Sequence, residues 1–129
     1  MSVGLVIVTH GQIGQSLVDS AAFVLDRSLA EIRCIGVTQS GSEWPDQQLI
    51  RDAIQEADSG EGVLVMTDLG CASPSNTVEK QVHGLEARVV SGVNLPMLLR
   101  AWNYREHPLD ELARRAVEGG LKGIGLRGA

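Results

Sequence analysis

His10 lies in the run Thr9-His10-Gly11, directly after an aliphatic stretch, and Asp68 closes a second such stretch in Thr67-Asp68-Leu69. A carboxylate that accepts from an imidazole Nδ1–H fixes the ring tautomer and leaves the Nε2 lone pair pointing outward. It also stabilises positive charge on the ring once that nitrogen is modified. That is the wiring of a histidine nucleophile, and a neutral imidazole needs no separate base at neutral pH. Taken alone, each residue reads in two ways. Histidines at strand ends also serve as structural or capping hydrogen-bonding groups, and an aspartate in such a loop also bonds backbone amides. Ser73 is the third candidate. Standing before Pro74, it has the pattern of a helix N-cap, and a helix N-terminus offers N–H groups and positive dipole charge to a phosphate. The two roles are compatible. Asn94, before Leu95-Pro96, reads as an N-cap or loop-ordering residue rather than a reactant.

The remaining reactive side chains carry less. His83 lies near the end of a charged segment and His107 precedes a proline in a polar one, which marks both as surface residues. Cys71, in a strand-to-helix loop, reads as a small packing residue. No His, Cys or acidic residues show zinc-ligand spacing, so no metal is expected. Gly-x-Gly-x-x-Gly is absent from the first turn, as are Gly-x-x-x-x-Gly-Lys and Gly-x-Ser-x-Gly, so dinucleotide, P-loop and serine-hydrolase readings lose their support. No cofactor is implied.

What must position these residues is a set of βα units. Four aliphatic runs, Val3 to Thr9, Glu31 to Val37, Gly62 to Asp68 and Ala87 to Gly92, are each followed by a turn and a segment of helical periodicity. After the first, Ile13, Leu17, Ala21, Val24 and Leu25 form one apolar stripe; after the second, Leu49, Ile50, Ala53, Ile54 and Ala57 do so, with Pro45 in the first turn. A third helix is predicted from Ser73-Pro74 to near Gly84, a fourth from Asn94, and a fifth from Pro108 that stops at Gly119-Gly120. The glycine-rich tail beyond it suits a short edge strand around Leu121 to Leu126. The fold class is thus α/β, a doubly wound, mainly parallel sheet with helices on both faces. In the order 2-1-3-4 the first and third strands are neighbours at the switch point, where such sheets place their sites, and His10 and Asp68 come within reach of each other.

Length and composition agree. A chain of 129 residues fits one domain, residues 1–129, and buries about two-thirds of its surface without staples. Two cysteines are too few for a disulfide framework and point to a reducing, cytoplasmic setting. A net charge of −5 with no Lys/Arg block argues against nucleic acid as a partner. The apolar opening is too short for a signal peptide or membrane span, so no direct membrane insertion is expected.

Four motifs occur in this βα context: Gly-Leu-Val-Ile-Val-Thr-His-Gly at 4 to 11, Gly-Val-Leu-Val-Met-Thr-Asp-Leu at 62 to 69, Ser-Pro-Ser-Asn at 73 to 76, and Ser-Gly-Val-Asn-Leu-Pro-Met-Leu at 91 to 98. With them the chain resembles, over nearly its whole length, the mannose-family enzyme IIA of the bacterial phosphoenolpyruvate-dependent sugar phosphotransferase system. The resemblance implies that His10 accepts a phosphoryl group from the histidine-containing phosphocarrier protein and passes it to a histidine of enzyme IIB. It implies that Asp68 orients His10 and that Ser73 helps hold the phosphate. It further implies a homodimer in which a C-terminal antiparallel edge strand is exchanged, a part the glycine-rich tail is placed to supply. Gly70-Cys71-Ala72 departs from the family pattern, which commonly has an aromatic residue and two glycines there. Asp68-Leu69-Gly70 is also similar to the phosphocarrier subunit of dihydroxyacetone-kinase-type systems. That subunit, or a regulatory phosphorylatable module not coupled to sugar uptake, is the alternative reading.

Overall fold

Strands made of branched aliphatic residues and covered on both faces occupy the middle of the sheet. In β1 (Gly4–His10) the five residues from Leu5 to Thr9 are all buried, and in β3 (Val63–Thr67) every residue is. Such continuous burial is the mark of a parallel strand with helices above and below it. The flanking strands, β2 (Arg33–Val37) and β4 (Ala87–Val90), are partly exposed. The computed structural model describes residues 1–37, 44–69 and 75–128. All four strands pair in parallel in the order β2-β1-β3-β4. The register sets His10 opposite Val37 and Val8 opposite Thr67.

Alternation along the strands divides the core in two. Leu5, Ile7, Leu64 and Met66 meet α1 (Ile13–Leu25), α4 (Leu95–Asn103) and α5 (Leu109–Lys122) through Val18, Ala21, Leu98, Trp102, Leu112 and Ala116. On the other face Val6, Val8, Val63 and Val65 meet α2 (Trp44–Ala57) and α3 (Ser75–Gln81) through Ile50, Ile54 and Val78. Truncating a fully buried side chain at the centre, such as Leu64, costs about 2–5 kcal/mol.

The doubly wound α/β class and the order 2-1-3-4 are as the sequence predicts, with shifted boundaries. β1 extends through His10, while β3 stops at Thr67 and leaves Asp68 just beyond it. α3 ends at Gln81, ahead of Gly84, which has φ of +82°. Its predicted start at Ser73-Pro74 lies outside the described residues.

The larger correction is at the C-terminal end. α5 runs through Gly119 and Gly120 to Lys122, and residues 124–128 form no strand. The two glycines serve helix contact rather than helix termination. A Cβ on Gly119 would sit 2.7 Å from Cβ of Arg100, and one on Gly120 would sit 3.0 Å from Cε of Met97. Their bare backbone lets α5 press on α4. Asn94 joins the two helices: its Oδ1 caps α4 by accepting from the Met97 N–H at 2.9 Å, and its Nδ2 donates to the Gly120 carbonyl at 3.1 Å.

Candidate active site

β1 delivers His10 to the carboxyl edge of the sheet, beside the neighbouring end of β3. The turn that follows is tight because Gly11 takes φ of +49° and donates its N–H to the Val37 carbonyl at 3.2 Å. Gly36 of β2 makes this approach feasible, since any Cβ there would run into the Gly11 carbonyl. At the end of β3 the Thr67 carbonyl accepts from the Val93 N–H at 2.9 Å, tying the loop before α4 to the same edge.

The fold brings His10 and Asp68 together. Asp68 Oδ2 lies 3.0 Å from His10 Nδ1 and also accepts the His10 backbone N–H at 3.0 Å. Oδ1 accepts the Leu69 N–H at 3.0 Å. Only 12% of the Asp68 side chain is exposed, against 43% for His10, so the carboxylate is sheltered while the ring reaches solvent. Burial works against ionising Asp68. The hydrogen bonds from the backbone and ring of His10, with positive charge on the ring whenever it is protonated, outweigh it and hold the carboxyl below the usual carboxylate range. An ionised acceptor on Nδ1 directs the lone pair of the ring to Nε2, the nitrogen turned away from Asp68.

A cleft of about 670 Å³ opens beside the imidazole, lined by His10, Gln12, Gln15, Cys34 and Gly36 among others. Cys34 is no reactive group in it, because burial, and then the nearby charge of Asp19, push its thiol up to about 11. Ser73 and Cys71 lie outside the described residues. Asn94 is a helix cap, as one of its two sequence readings has it. His83 is exposed, and His107 pairs with Glu111 at 3.0 Å next to Tyr104, away from this edge.

Sequence reasoning places Thr9 at the strand end but gives it no role. Its buried hydroxyl accepts the Gly14 N–H at 2.8 Å, and only the alternation of β1, which turns Thr9 to the α1 face, hints at that. Gly36 was equally silent, for its role depends on a contact between two strands.

An open parallel sheet with a carboxylate-tethered histidine at its switch point is the class of protein that fold and site define. Residues 4–117 match the EIIA-man family, described as PTS system fructose IIA component, and the chain belongs to that family. It is a mannose-family IIA component of the phosphotransferase system. The chain is 32% identical to the YadI protein of Escherichia coli, named as a phosphotransferase enzyme IIA component, over 89% of this chain and 80% of that one. It is 28% identical to the E. coli PTS system mannose-specific EIIAB component, over 96% of this chain but only 39% of that longer protein. Among solved structures, the mannose/sorbose specific IIA subunit of Enterococcus faecalis superposes with a TM-score of 0.88 at 24% identity, covering 100% of this chain and 97% of that subunit. That likeness speaks for the fold. Among the described residues no helix is long and apolar enough to cross a membrane.

Proposed function

We propose that this chain is a phosphocarrier in which His10 takes a phosphoryl group from the histidine-containing phosphocarrier protein and hands it to a histidine of enzyme IIB. The observation that carries the reading is the 3.0 Å contact between His10 Nδ1 and Asp68 Oδ2, which leaves Nε2 as the free nitrogen of a half-exposed ring. In the first step that lone pair attacks phosphorus in line. The new N–P bond forms as the donor histidine's N–P bond breaks, and the donor's electron pair returns to its ring. Asp68 holds the Nδ1 proton throughout and stabilises the positive charge that the ring gains. The second step reverses these roles toward the acceptor. Ser73, on the family pattern, holds the phosphoryl oxygens.

In this reading residues 1–129 act as one domain in the cytoplasm, the carried phosphate serves sugar uptake, and the protein works as a homodimer. Leu121, Ile124 and Leu126 support the last point, since all three are exposed and Leu126 is 96% so. Incubating the chain with phosphoenolpyruvate, enzyme I and the phosphocarrier protein tests the assignment. An intact-mass gain of one phosphoryl group that enzyme IIB then removes is expected, and no gain refutes it.

A further inference from the structure

We infer that Thr9 is a positioning residue for phosphoryl transfer, one that aims the His10 ring by joining the end of β1 to the start of α1. The inference rests on the phosphocarrier reading of His10 given above.

Four N–H groups at the start of a helix lack partners within it, and a side chain at the N-cap ordinarily satisfies one of them. In α1 the N-cap residue, Gln12, makes no such bond. Thr9 supplies it instead from within the sheet. Its Oγ1 accepts the Gly14 N–H at 2.8 Å, and the same hydroxyl points its proton toward the His10 carbonyl at a longer 3.3 Å. One hydroxyl can do both, having one proton to give and two lone pairs to receive. The Thr9 side chain and Gly14 are both buried, so the Gly14 N–H does not face open solvent.

Space for this bond is built into the helix. A Cβ on Gly14 would meet Cγ2 of Ile7 at 2.8 Å and Oγ1 of Thr9 at 3.1 Å, so glycine is what lets the helix start come down onto the threonine. His10 is consequently fastened on two sides. Asp68 holds its N–H and its ring, and Thr9 holds the following turn in place through Gly14. Without the second fastening, the turn keeps its Gly11 N–H bond to Val37 but loses its tie to α1, and the His10 carbonyl and ring shift relative to Asp68. Transfer in line between two histidines is sensitive to displacements of that size.

The test compares Thr9→Val, close in shape but without the hydroxyl, with Thr9→Ser, which keeps it. We expect Thr9→Val to lower kcat for transfer from the phosphocarrier protein about tenfold to a hundredfold, with KM unchanged. In ring ¹⁵N spectra of the unphosphorylated protein the single Nδ1–H tautomer of His10 should give way to a mixture. Thr9→Ser should restore both. Thr9→Ala provides the same readings if the valine variant fails to fold. Wild-type ring spectra and kcat in the hydroxyl-free variants, or a serine variant no better than valine at equal Tm, would overturn the role of Thr9. A wild-type chain that takes no phosphoryl group at His10 refutes the phosphocarrier reading instead, and the ring spectra still decide whether Thr9 sets the imidazole.

Discussion

One oxygen of Asp68 receives two groups of His10: the backbone N–H and Nδ1 of the ring each lie 3.0 Å from Oδ2. A single bond to the ring would leave the imidazole free to swing about its own side-chain torsions with the carboxylate following. With the backbone held by the same oxygen, the ring has a fixed reference, and its orientation is set by the strand end rather than by its own rotamers.

Asp68→Asn should therefore fold and yet transfer poorly. The amide oxygen accepts hydrogen bonds but carries no charge to stabilise a phosphorylated, cationic ring. A loss of at least about tenfold in transfer rate is expected, the lower end of what removing the outer hydrogen-bond partner of a metal-ligating histidine costs. Rapid-quench measurement of transfer checks it, and an unchanged rate would remove Asp68 from the site.

The same contact gives an acid-sensitive contribution to stability. Although burial opposes ionisation, bonds from His10 lower the Asp68 carboxyl in the folded protein, so the unfolded chain takes up a proton there first as pH falls. The contribution is fully present above the unfolded value and disappears as pH drops through the folded one. Urea midpoints followed from about pH 6 to about pH 3 should show the wild type losing more stability than Asp68→Asn, whose side chain does not titrate. Parallel curves would mean that the carboxylate is not stabilised by folding.

The sheet was legible because Val3 to Thr9 and Gly62 to Asp68 are short aliphatic runs each followed by helical periodicity, the pattern of doubly covered strands, and in the order 2-1-3-4 of a doubly wound sheet the pairing of His10 with Asp68 follows. Glycines misled. Gly119-Gly120 has the composition of a helix stop, but whether a glycine ends a helix or admits a neighbour depends on what faces it, here Arg100 and Met97. The buried bond from Gly14 to Thr9 was hidden for a similar reason, since a threonine next to the histidine looks like one more β-branched strand residue.

Replacing those glycines should separate their roles. Gly119→Ala places a methyl 2.7 Å from Cβ of Arg100, near the helix backbone where little can yield, whereas Gly120→Ala meets the flexible end of Met97 at 3.0 Å. Overpacking of about 1–3 kcal/mol should outweigh the gain in helix propensity of about 1 kcal/mol at position 119 and roughly cancel it at 120. Chemical denaturation ranks the two, and a more stable Gly119→Ala would refute the close contact.

If the exposed tail forms part of a dimer interface, removing residues 124–129 should raise the dimer dissociation constant without changing the Tm-determining core or the phosphorylation of His10. Analytical ultracentrifugation of the full chain and the truncation supplies the comparison. A full-length monomer at micromolar concentration would exclude the dimer, and an unchanged dimer after truncation would place its interface elsewhere.

The most direct test of the account is to find which atom carries the phosphoryl group. NMR of the ¹⁵N-labelled protein, phosphorylated through the phosphocarrier protein, should show phosphorus coupled to Nε2 of His10, with Nδ1 still protonated toward Asp68 and no label in His10→Ala. Phosphorus on Nδ1, or a phosphoryl group retained by His10→Ala, would contradict it.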